Sequence, residues 1–218
     1  MLHELLNALE ETLFMVFSAG LLAWIVGLPL GVLLHTTRAG KLLENSLIHT
    51  SLRFVIGTTR SIPYAAFSIA LIPFTQNIAG SQDGSLAALI PLTLIGIPHF
   101  AYLCDKALQK VPTALIEATQ TLGATTLQII AKVLIPESLA NLVQAFGITL
   151  VHLISYSTIA GVLGGGGLGH LLTHKGYGHF QLDYVLSVLA LLIILVQVVQ
   201  RSTQYVVQGS IEGSAVSS

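Results

Sequence analysis

Five long apolar runs dominate this chain and restrict what it can fold into. They cover about residues 12–35, 51–73, 85–104, 139–163 and 184–207. A helix needs roughly 20 mostly apolar residues to cross the hydrocarbon core of a bilayer. Each run is long enough, so the sequence predicts an all-α, polytopic membrane protein with about five transmembrane helices. We expect one transmembrane domain over 1–208 and a flexible C-terminal tail over 209–218.

The composition argues against a soluble domain, a transmembrane β-barrel and a nucleic-acid-binding protein. Charged residues make up 9% of the chain and hydrophobic residues 53%, with a mean hydropathy of +0.81, whereas a soluble domain averages about 25% charged residues. A transmembrane β-barrel needs alternating segments of about ten residues, and these runs are continuous. The net charge of −1 suggests no nucleic-acid partner. The acidic N-terminus lacks the basic start of a signal peptide, so we expect the first run to be retained as a span.

The distribution of basic residues predicts the orientation of the spans. Lysine and arginine concentrate on alternate connections, at Arg38, Lys41, Lys106, Lys110 and Lys132. The connection 74–84 has none and 164–183 has only Lys175. Because basic loops stay in the cytoplasm, the N-terminus is expected outside the cell. The loop 105–138 and the C-terminus are expected in the cytoplasm.

The polar loop between the third and fourth runs carries the clearest motif. It contains Glu117, Ala118 and Thr119, then Gly123 and later Pro136. We predict a helix over 113–122 that ends at a left-handed glycine, followed by a second helix over about 125–134 that stops before Pro136. From these residues alone, the loop could pack on its own membrane domain or dock a separate protein.

This loop resembles the coupling motif of bacterial ABC-transporter permeases. That motif reads Glu-Ala-Ala, three residues, Gly, nine residues, Ile-x-Leu-Pro; here Thr119 replaces the second Ala, and Val133 and Ile135 replace Ile and Leu. Over nearly the whole chain, the sequence is similar to the permease subunit of methionine ABC importers. The likeness includes the segments Arg60-Ser61-Ile62-Pro63, Ser155-Tyr156-Ser157 and Gly166-Gly167-Leu168-Gly169.

The resemblance implies a type I importer permease fold in the bacterial inner membrane. It implies a pore of two copies of this chain, two cytoplasmic ATPase subunits that bind ATP and Mg²⁺, and a periplasmic or lipid-anchored methionine-binding protein. The cargo would be D- or L-methionine, and coupling would pass through Glu117, Ala118, Thr119, Gly123 and Pro136. Alternatives are a permease for another amino acid or small polar solute, and an ion-coupled secondary transporter.

The glycine run at 164–169 is not a nucleotide-binding loop. It contains Gly-x-Gly-x-x-Gly, but it follows an apolar run and not a strand. No Gly-Lys-Ser/Thr occurs in the chain, so we expect no catalytic residue, no cofactor of its own, and energy from a partner ATPase. We interpret the run as a flexible outer connection; the alternative is an outer gate at Gly166, Gly167 and Gly169.

Two polar groups inside apolar runs are candidates for the substrate pathway. Arg60, with Ser61 beside it, either bonds carbonyls freed by Pro63 or lines the route, since an arginine in a span faces the bundle interior or a cavity. A second patch consists of Ser155, Tyr156, Ser157 and Thr158. It either bonds neighbouring helices or contacts a polar substrate.

The remaining prolines and histidines favour structural roles. Pro29, Pro91 and Pro98, like Pro63, lie inside apolar runs and predict broken or kinked helices. His170 and His174 have the spacing of metal ligands on a helix, but the glycines before them argue against a regular helix. With His179 they are expected to face solvent or to be structural, without a metal. His99 and His152 are expected to be buried neutral rings bonded to a neighbour.

Overall fold

The computed structural model describes residues 1–79 and 84–216, and these residues are predominantly helical. In chain order, the α-helices of this part are α1 (Leu2–Thr36), α2 (Ser46–Ser61), α3 (Tyr64–Ala79), α4 (Ser85–Leu108), α5 (Thr113–Thr121), α6 (Thr126–Ile129), α7 (Ile135–Glu137), α8 (Leu139–Ala160), α9 (Gly167–Leu171) and α10 (Leu182–Val216). Three π-helical stretches, Ile130–Leu134, Gly161–Gly165 and Leu172–Tyr177, extend or join them. The all-α class is confirmed.

Four long apolar helices and one bent pair account for the five predicted spans. Helices α1, α4, α8 with its π-helical extension, and α10 are each long and apolar enough to cross a membrane. The second predicted span, 51–73, is not one helix. Helices α2 and α3 meet at an angle of 103° and count together as a fifth, broken span. Helix α1 also begins about ten residues earlier than its apolar run predicted.

The bend between α2 and α3 arises at Pro63. This residue has no backbone N–H, and its ring disfavours helical geometry at the preceding residue. Ile62 accordingly has extended dihedral angles, with φ −78° and ψ 128°. Pro29 in α1, and Pro91 and Pro98 in α4, lie within helices that continue through them. The predicted helix break is therefore confirmed at Pro63. A break at Pro29, Pro91 or Pro98 is wrong.

Close packing of α1 against α4 depends on small residues. A Cβ added at Gly27 would lie 2.9 Å from the carbonyl oxygen of Ile97, and one at Gly31 would lie 2.5 Å from the Cβ of Cys104. Glycines at this four-residue spacing let two membrane helices approach closely. The Trp24 ring then packs on α4, stacked 5.1 Å from Phe100. This stripe of α1 fixes the centre of the bundle.

The last helix is longer than its apolar run. Helix α10 continues to Val216, so most of the segment predicted to be a tail, 209–218, is helical. No proline after Pro136 interrupts the backbone hydrogen bonds, and the flexibility of this tail stays a prediction. Residues 217 and 218 lie outside the described part. Upstream, α10 packs tightly on α8, where a Cβ at Gly147 would lie 2.3 Å from Oγ1 of Thr203.

Candidate coupling segment and substrate pathway

Helix α5 ends as the sequence predicted. Gly123 has φ +82°, a left-handed conformation that glycine adopts without steric cost. Its N–H donates to the carbonyl of Gln120 at 2.9 Å, and the N–H of Ala124 donates to the carbonyl of Thr119 at 3.3 Å. This pair of bonds is the Schellman arrangement, which satisfies carbonyls at a helix end. The predicted helix and its glycine terminator are both confirmed.

The second helix of the segment does not stop before Pro136. It starts at a capping box, in which Thr125 and Gln128 exchange side-chain and backbone hydrogen bonds. A π-helical stretch then leads into α7, which contains Pro136, and helical structure ends at Ser138. The expected stop was wrong, because Pro136 stands in the first turn of α7, where a missing N–H is tolerated.

The coupling segment exposes both acidic and large apolar side chains. Glu117 and Ala118 are exposed, and Ile116 is the buried residue of α5. At the turn, Leu122 is 86% exposed and Leu127 is 77% exposed. Exposed large apolar side chains are typical of a binding surface. Sequence reasoning missed both leucines, although Leu122 directly precedes the terminating glycine and Leu127 follows it by four residues.

A small cavity lies between α5 and the connection that follows α1. Its volume is about 140 Å³, and its lining includes Glu117, Gln120 and Lys41. The Glu117 carboxylate makes no hydrogen bond or ion pair within the described residues. Thr119 is already engaged, since its Oγ1 donates to the carbonyl of Leu115 at 2.7 Å. Glu117 is therefore the polar side chain of the motif that remains available to a partner.

Arg60 lies apart from the serine-rich patch of α8. Its guanidinium stacks 3.6 Å from the centre of the Tyr102 ring, a cation–π contact. It lines a cavity between α2 and the ends of α1 and α4. Ser61 is exposed and its Oγ donates to the carbonyl of Gly57 at 2.9 Å. The role of Arg60 and Ser61 on the substrate route stays a prediction.

The patch on α8 is divided between two faces. Ser155 is exposed, and Tyr156 and Thr158 are half-buried. Ser157 is 1% exposed, and its Oγ donates to the carbonyl of Ile154 at 2.8 Å. Ser157 therefore does not share the exposed face of Ser155, because successive helical residues are about 100° apart around the axis, and the role of the patch on the pathway stays a prediction.

A series of rings connects α3, α8 and α4. Tyr156 stacks on Tyr64 at a centroid distance of 4.8 Å, and His152 approaches His99 at 4.5 Å. His152 lies one helical turn before Tyr156, with their rings 6.1 Å apart. Contrary to expectation, His152 is exposed, and Nε2 of His99 is buried without a hydrogen-bond partner in the described residues. Polar ring atoms thus border the exposed face of α8.

Sequence reasoning missed a polar groove between α8 and α10. One cavity of about 350 Å³ is lined by Gln144, His152, Gln200, Thr203 and Gln204, among others. A neighbouring cavity of about 300 Å³ is lined by Ser155, Thr158 and Gln197, with apolar residues of both helices. The spacing of three of the four glutamines of α10, at 197, 200 and 204, was the available signal, because it places them on one helix face.

The glycine run is packed and not a flexible connection. Gly166 and Gly167 have φ +76° and +70°. The N–H of Gly167 donates to Oε2 of Glu11 at 2.6 Å, and the N–H of Leu168 donates to Oγ1 of Thr12 at 2.9 Å. These bonds satisfy the start of α9 with side chains of α1. The expected flexibility was wrong because it ignored this contact.

Tight contacts explain the other glycines of the run. A Cβ at Gly169 would lie 2.1 Å from the carbonyl oxygen of Thr158, and one at Gly161 would lie 2.5 Å from that of Gly166. The chain therefore folds back on the end of α8 at a distance that a side chain would prevent. A role of Gly166, Gly167 and Gly169 as an outer gate stays a prediction.

The three outer histidines form a row. The ring centroids of His170 and His174 are 5.6 Å apart, and those of His174 and His179 are 5.4 Å apart. His170 and His174 stand on helical backbone after all, in α9 and the π-helical stretch after it. Across residues 1–79 and 84–216, no group of three His, Cys, Asp or Glu side chains could hold a metal ion.

The sequence matches a known family over most of its length. A family profile described as "Binding-protein-dependent transport system inner membrane component" matches residues 27–210. A probable D-methionine transport system permease protein of Vibrio cholerae is 45% identical over 196 residues, covering 90% of this chain and 87% of that protein. The D-methionine transport system permease protein of Escherichia coli K12 is 41% identical over 161 residues, covering 74% of each chain.

Solved structures agree with the sequence comparisons. A chain of the methionine ABC transporter MetNI in an inward-facing conformation superimposes with a TM-score of 0.94 at 39% identity, covering 96% of this chain and 97% of that one. A chain of an amino acid ABC transporter crystallised with histidines has a TM-score of 0.77 at 17% identity, covering 94% and 92%. The second likeness concerns the fold alone.

Proposed function

Because this chain belongs to the family of binding-protein-dependent transport system inner membrane components, we propose that it is the permease subunit of an ATP-driven methionine importer. Two copies form the pore, and two separate ATPase subunits supply the energy and bind ATP and Mg²⁺. A periplasmic or lipid-anchored binding protein delivers the solute. The membrane is the bacterial inner membrane, with the N-terminus outside and the C-terminus in the cytoplasm.

The observation that carries this proposal is the exposed surface of the coupling segment. Helix α5 presents Glu117 without an internal partner, beside the exposed Leu122 and Leu127. A groove of the ATPase subunit would cover this surface. When ATP closes the ATPase dimer, the coupling segments of the two copies move together and the bundles open outward. ATP shifts the equilibrium by its differential affinity for the two states.

Methionine fits the groove between α8 and α10. Its lining combines neutral hydrogen-bonding groups, such as Gln197 and Ser155, with apolar side chains such as Leu192 and Val196. A zwitterionic amino acid with an unbranched thioether side chain needs a few polar contacts and an apolar slot. The names of the relatives support the same cargo. Both D- and L-methionine belong to the proposal.

Uptake into proteoliposomes tests the function directly. The chain is reconstituted with its ATPase subunit and binding protein, and labelled L- and D-methionine are supplied outside. We expect uptake that requires ATP inside and that excess unlabelled methionine abolishes. No ATP-dependent uptake of labelled methionine, together with ATP-dependent uptake of another labelled amino acid, would transfer the proposal to that solute. Uptake that continues without ATP and collapses with the ion gradient would identify a secondary transporter instead.

Replacing Tyr156 is expected to impair recognition. Tyr156→Ala removes the ring that stacks on Tyr64 and lies 6.1 Å from the ring of His152, a residue that lines the groove, and we expect a KM for uptake raised about tenfold or more, equivalent to about 1.4 kcal/mol. Tyr156→Phe keeps the stacked ring and removes only the hydroxyl, so it shows which of the two groups matters for uptake. The matched control is Tyr177→Ala, an exposed tyrosine outside the groove. An unchanged uptake curve for Tyr156→Ala would remove this patch from the pathway.

A further inference from the structure

A strongly basic cavity opens beside α2 at the end of the bundle that carries the coupling segment. It has a volume of about 260 Å³ and lies between α2 and the ends of α1 and α4. Four cationic side chains line it: Arg38, Arg53, Arg60 and Lys106. It is separate from the groove between α8 and α10, with which it shares no lining residue. The transport mechanism proposed above does not use it.

The one carboxylate in the lining does not neutralise these charges. Asp105 accepts a hydrogen bond from Nε2 of Gln109 at 2.7 Å, and its other oxygen lies 3.4 Å from Nδ1 of the buried His35. Four cations and one carboxylate leave three positive charges in the cavity. None of the four cations forms an ion pair with a carboxylate in the described part of the chain. The cavity therefore keeps a net positive charge.

Helix α2 carries its cavity-lining basic residues and its most exposed apolar residues on different faces. His49, Arg53 and Arg60 line the cavity, while Leu47 is 82% exposed and Phe54 is 72% exposed on the other side. A helix in water shows the opposite arrangement. Arg53 and Arg60 are exposed and lie on the cavity side of α2, next to its exposed apolar face. A charge in that position pairs with an opposite charge or reaches water.

The geometry suits a phosphate group. Arg60 is held flat on the Tyr102 ring at 3.6 Å, and Lys106 lies 5.7 Å from the centre of the same ring. Stacking orders the guanidinium plane and leaves its N–H groups at the edge free to bond two oxygens of one anion. Three further cations around the same space raise the affinity for a group with more than one charge.

We infer that this cavity binds the phosphate of an anionic phospholipid headgroup. Basic pockets between membrane helices on the cytoplasmic side are suited to such headgroups. The exposed apolar face of α2, with Leu47 and Phe54, gives the acyl chains a surface beside the cavity. A free phosphate has the same headgroup chemistry but makes no use of that apolar face. The inference is independent of which solute the protein carries.

The test measures lipid retention by the intact transporter complex. The complex is purified in detergent, supplied with phosphatidylglycerol or phosphatidylcholine, and examined by native mass spectrometry. We expect phosphatidylglycerol to be retained and phosphatidylcholine to be lost. In the variant Arg53→Gln/Lys106→Gln, retention should weaken about 30-fold, the combined effect of two basic residues near an anionic surface. The matched control Arg201→Gln removes an exposed arginine that does not line the cavity and should leave retention unchanged.

Two further arms keep the inference falsifiable. Equal retention of the two lipids by the wild-type complex overturns the inference. This comparison uses no variant, so it does not depend on whether the double variant folds. Inorganic phosphate at millimolar concentration should not displace phosphatidylglycerol. If it does so completely, the site belongs to a soluble phosphate and the lipid assignment is overturned. Retention that is unaffected by the double variant locates the lipid elsewhere and also overturns it.

Discussion

Gly31→Leu is expected to prevent the membrane bundle from assembling. A Cβ alone at this position would lie 2.5 Å from the Cβ of Cys104 and 2.7 Å from the carbonyl oxygen of Ala101. The second contact is with backbone, which cannot rotate away. Leucine adds three more carbons in the same direction, so α1 and α4 would have to separate along their contact. Overpacking of this kind costs about 3 kcal/mol or more.

Size-exclusion chromatography of the detergent-solubilised, fluorescently tagged protein measures this effect. We expect the monodisperse peak of the Gly31→Leu variant to fall to less than about one tenth of the wild-type peak, since about 1.4 kcal/mol corresponds to tenfold. Gly209→Leu is the matched control, because a Cβ at Gly209 meets nothing within 4 Å. A wild-type profile for Gly31→Leu would show that the α1–α4 contact described here is not the one formed in the membrane.

Features that depend on neighbouring residues in sequence could be predicted without a structure. The apolar runs gave the helices, because hydrocarbon requires long continuous apolar segments. Gly123 predicted the end of α5, because glycine adopts the left-handed conformation found there without steric cost, whatever its neighbours are. Pro63 gave a break within the second run, although not its angle of 103°. That angle is set by packing of α3 on α4 and α8, which no local pattern contains.

Features that depend on contacts between distant residues could not be predicted in this way. The glycine run looked flexible until Glu11 and Thr12 of α1 were found bonded to its N–H groups. Ser157 looked equivalent to Ser155, because apolar residues occur on all sides of α8 and the sequence does not show which side is buried. The groove between α8 and α10 forms only when two helices far apart in sequence meet, so its glutamines had no apparent partner.

The coupling segment contains one residue that the sequence predicted and two that it did not. Its motif identified Glu117, which is exposed and has no internal partner, but it did not single out Leu122 and Leu127. The structure exposes both leucines beside the Schellman turn at Gly123. Gly123 lies between the two leucines in the chain, so its conformation sets their relative position as well as the end of α5.

Glu117→Arg is therefore expected to abolish ATP-coupled uptake while leaving the bundle intact. The carboxylate is exposed and makes no contact that stabilises the described fold, so the chain should still elute as wild type. A reversed charge at the centre of a docking surface removes one favourable contact and introduces a repulsive one. Residues at such positions contribute about 2 kcal/mol or more, so binding of the ATPase subunit should weaken about 30-fold or more.

Two companion variants distinguish docking from a general effect of charge. Glu137→Arg reverses an exposed charge on the same loop but lines neither the α5 cavity nor the basic one, and it should leave uptake and ATPase association unchanged. Gly123→Val places a β-branched residue at φ +82°, which valine strongly disfavours. It should shift Leu122 and Leu127 relative to each other and reduce association without touching Glu117. Wild-type association and uptake in both Glu117→Arg and Gly123→Val would mean that force enters the bundle through a different surface.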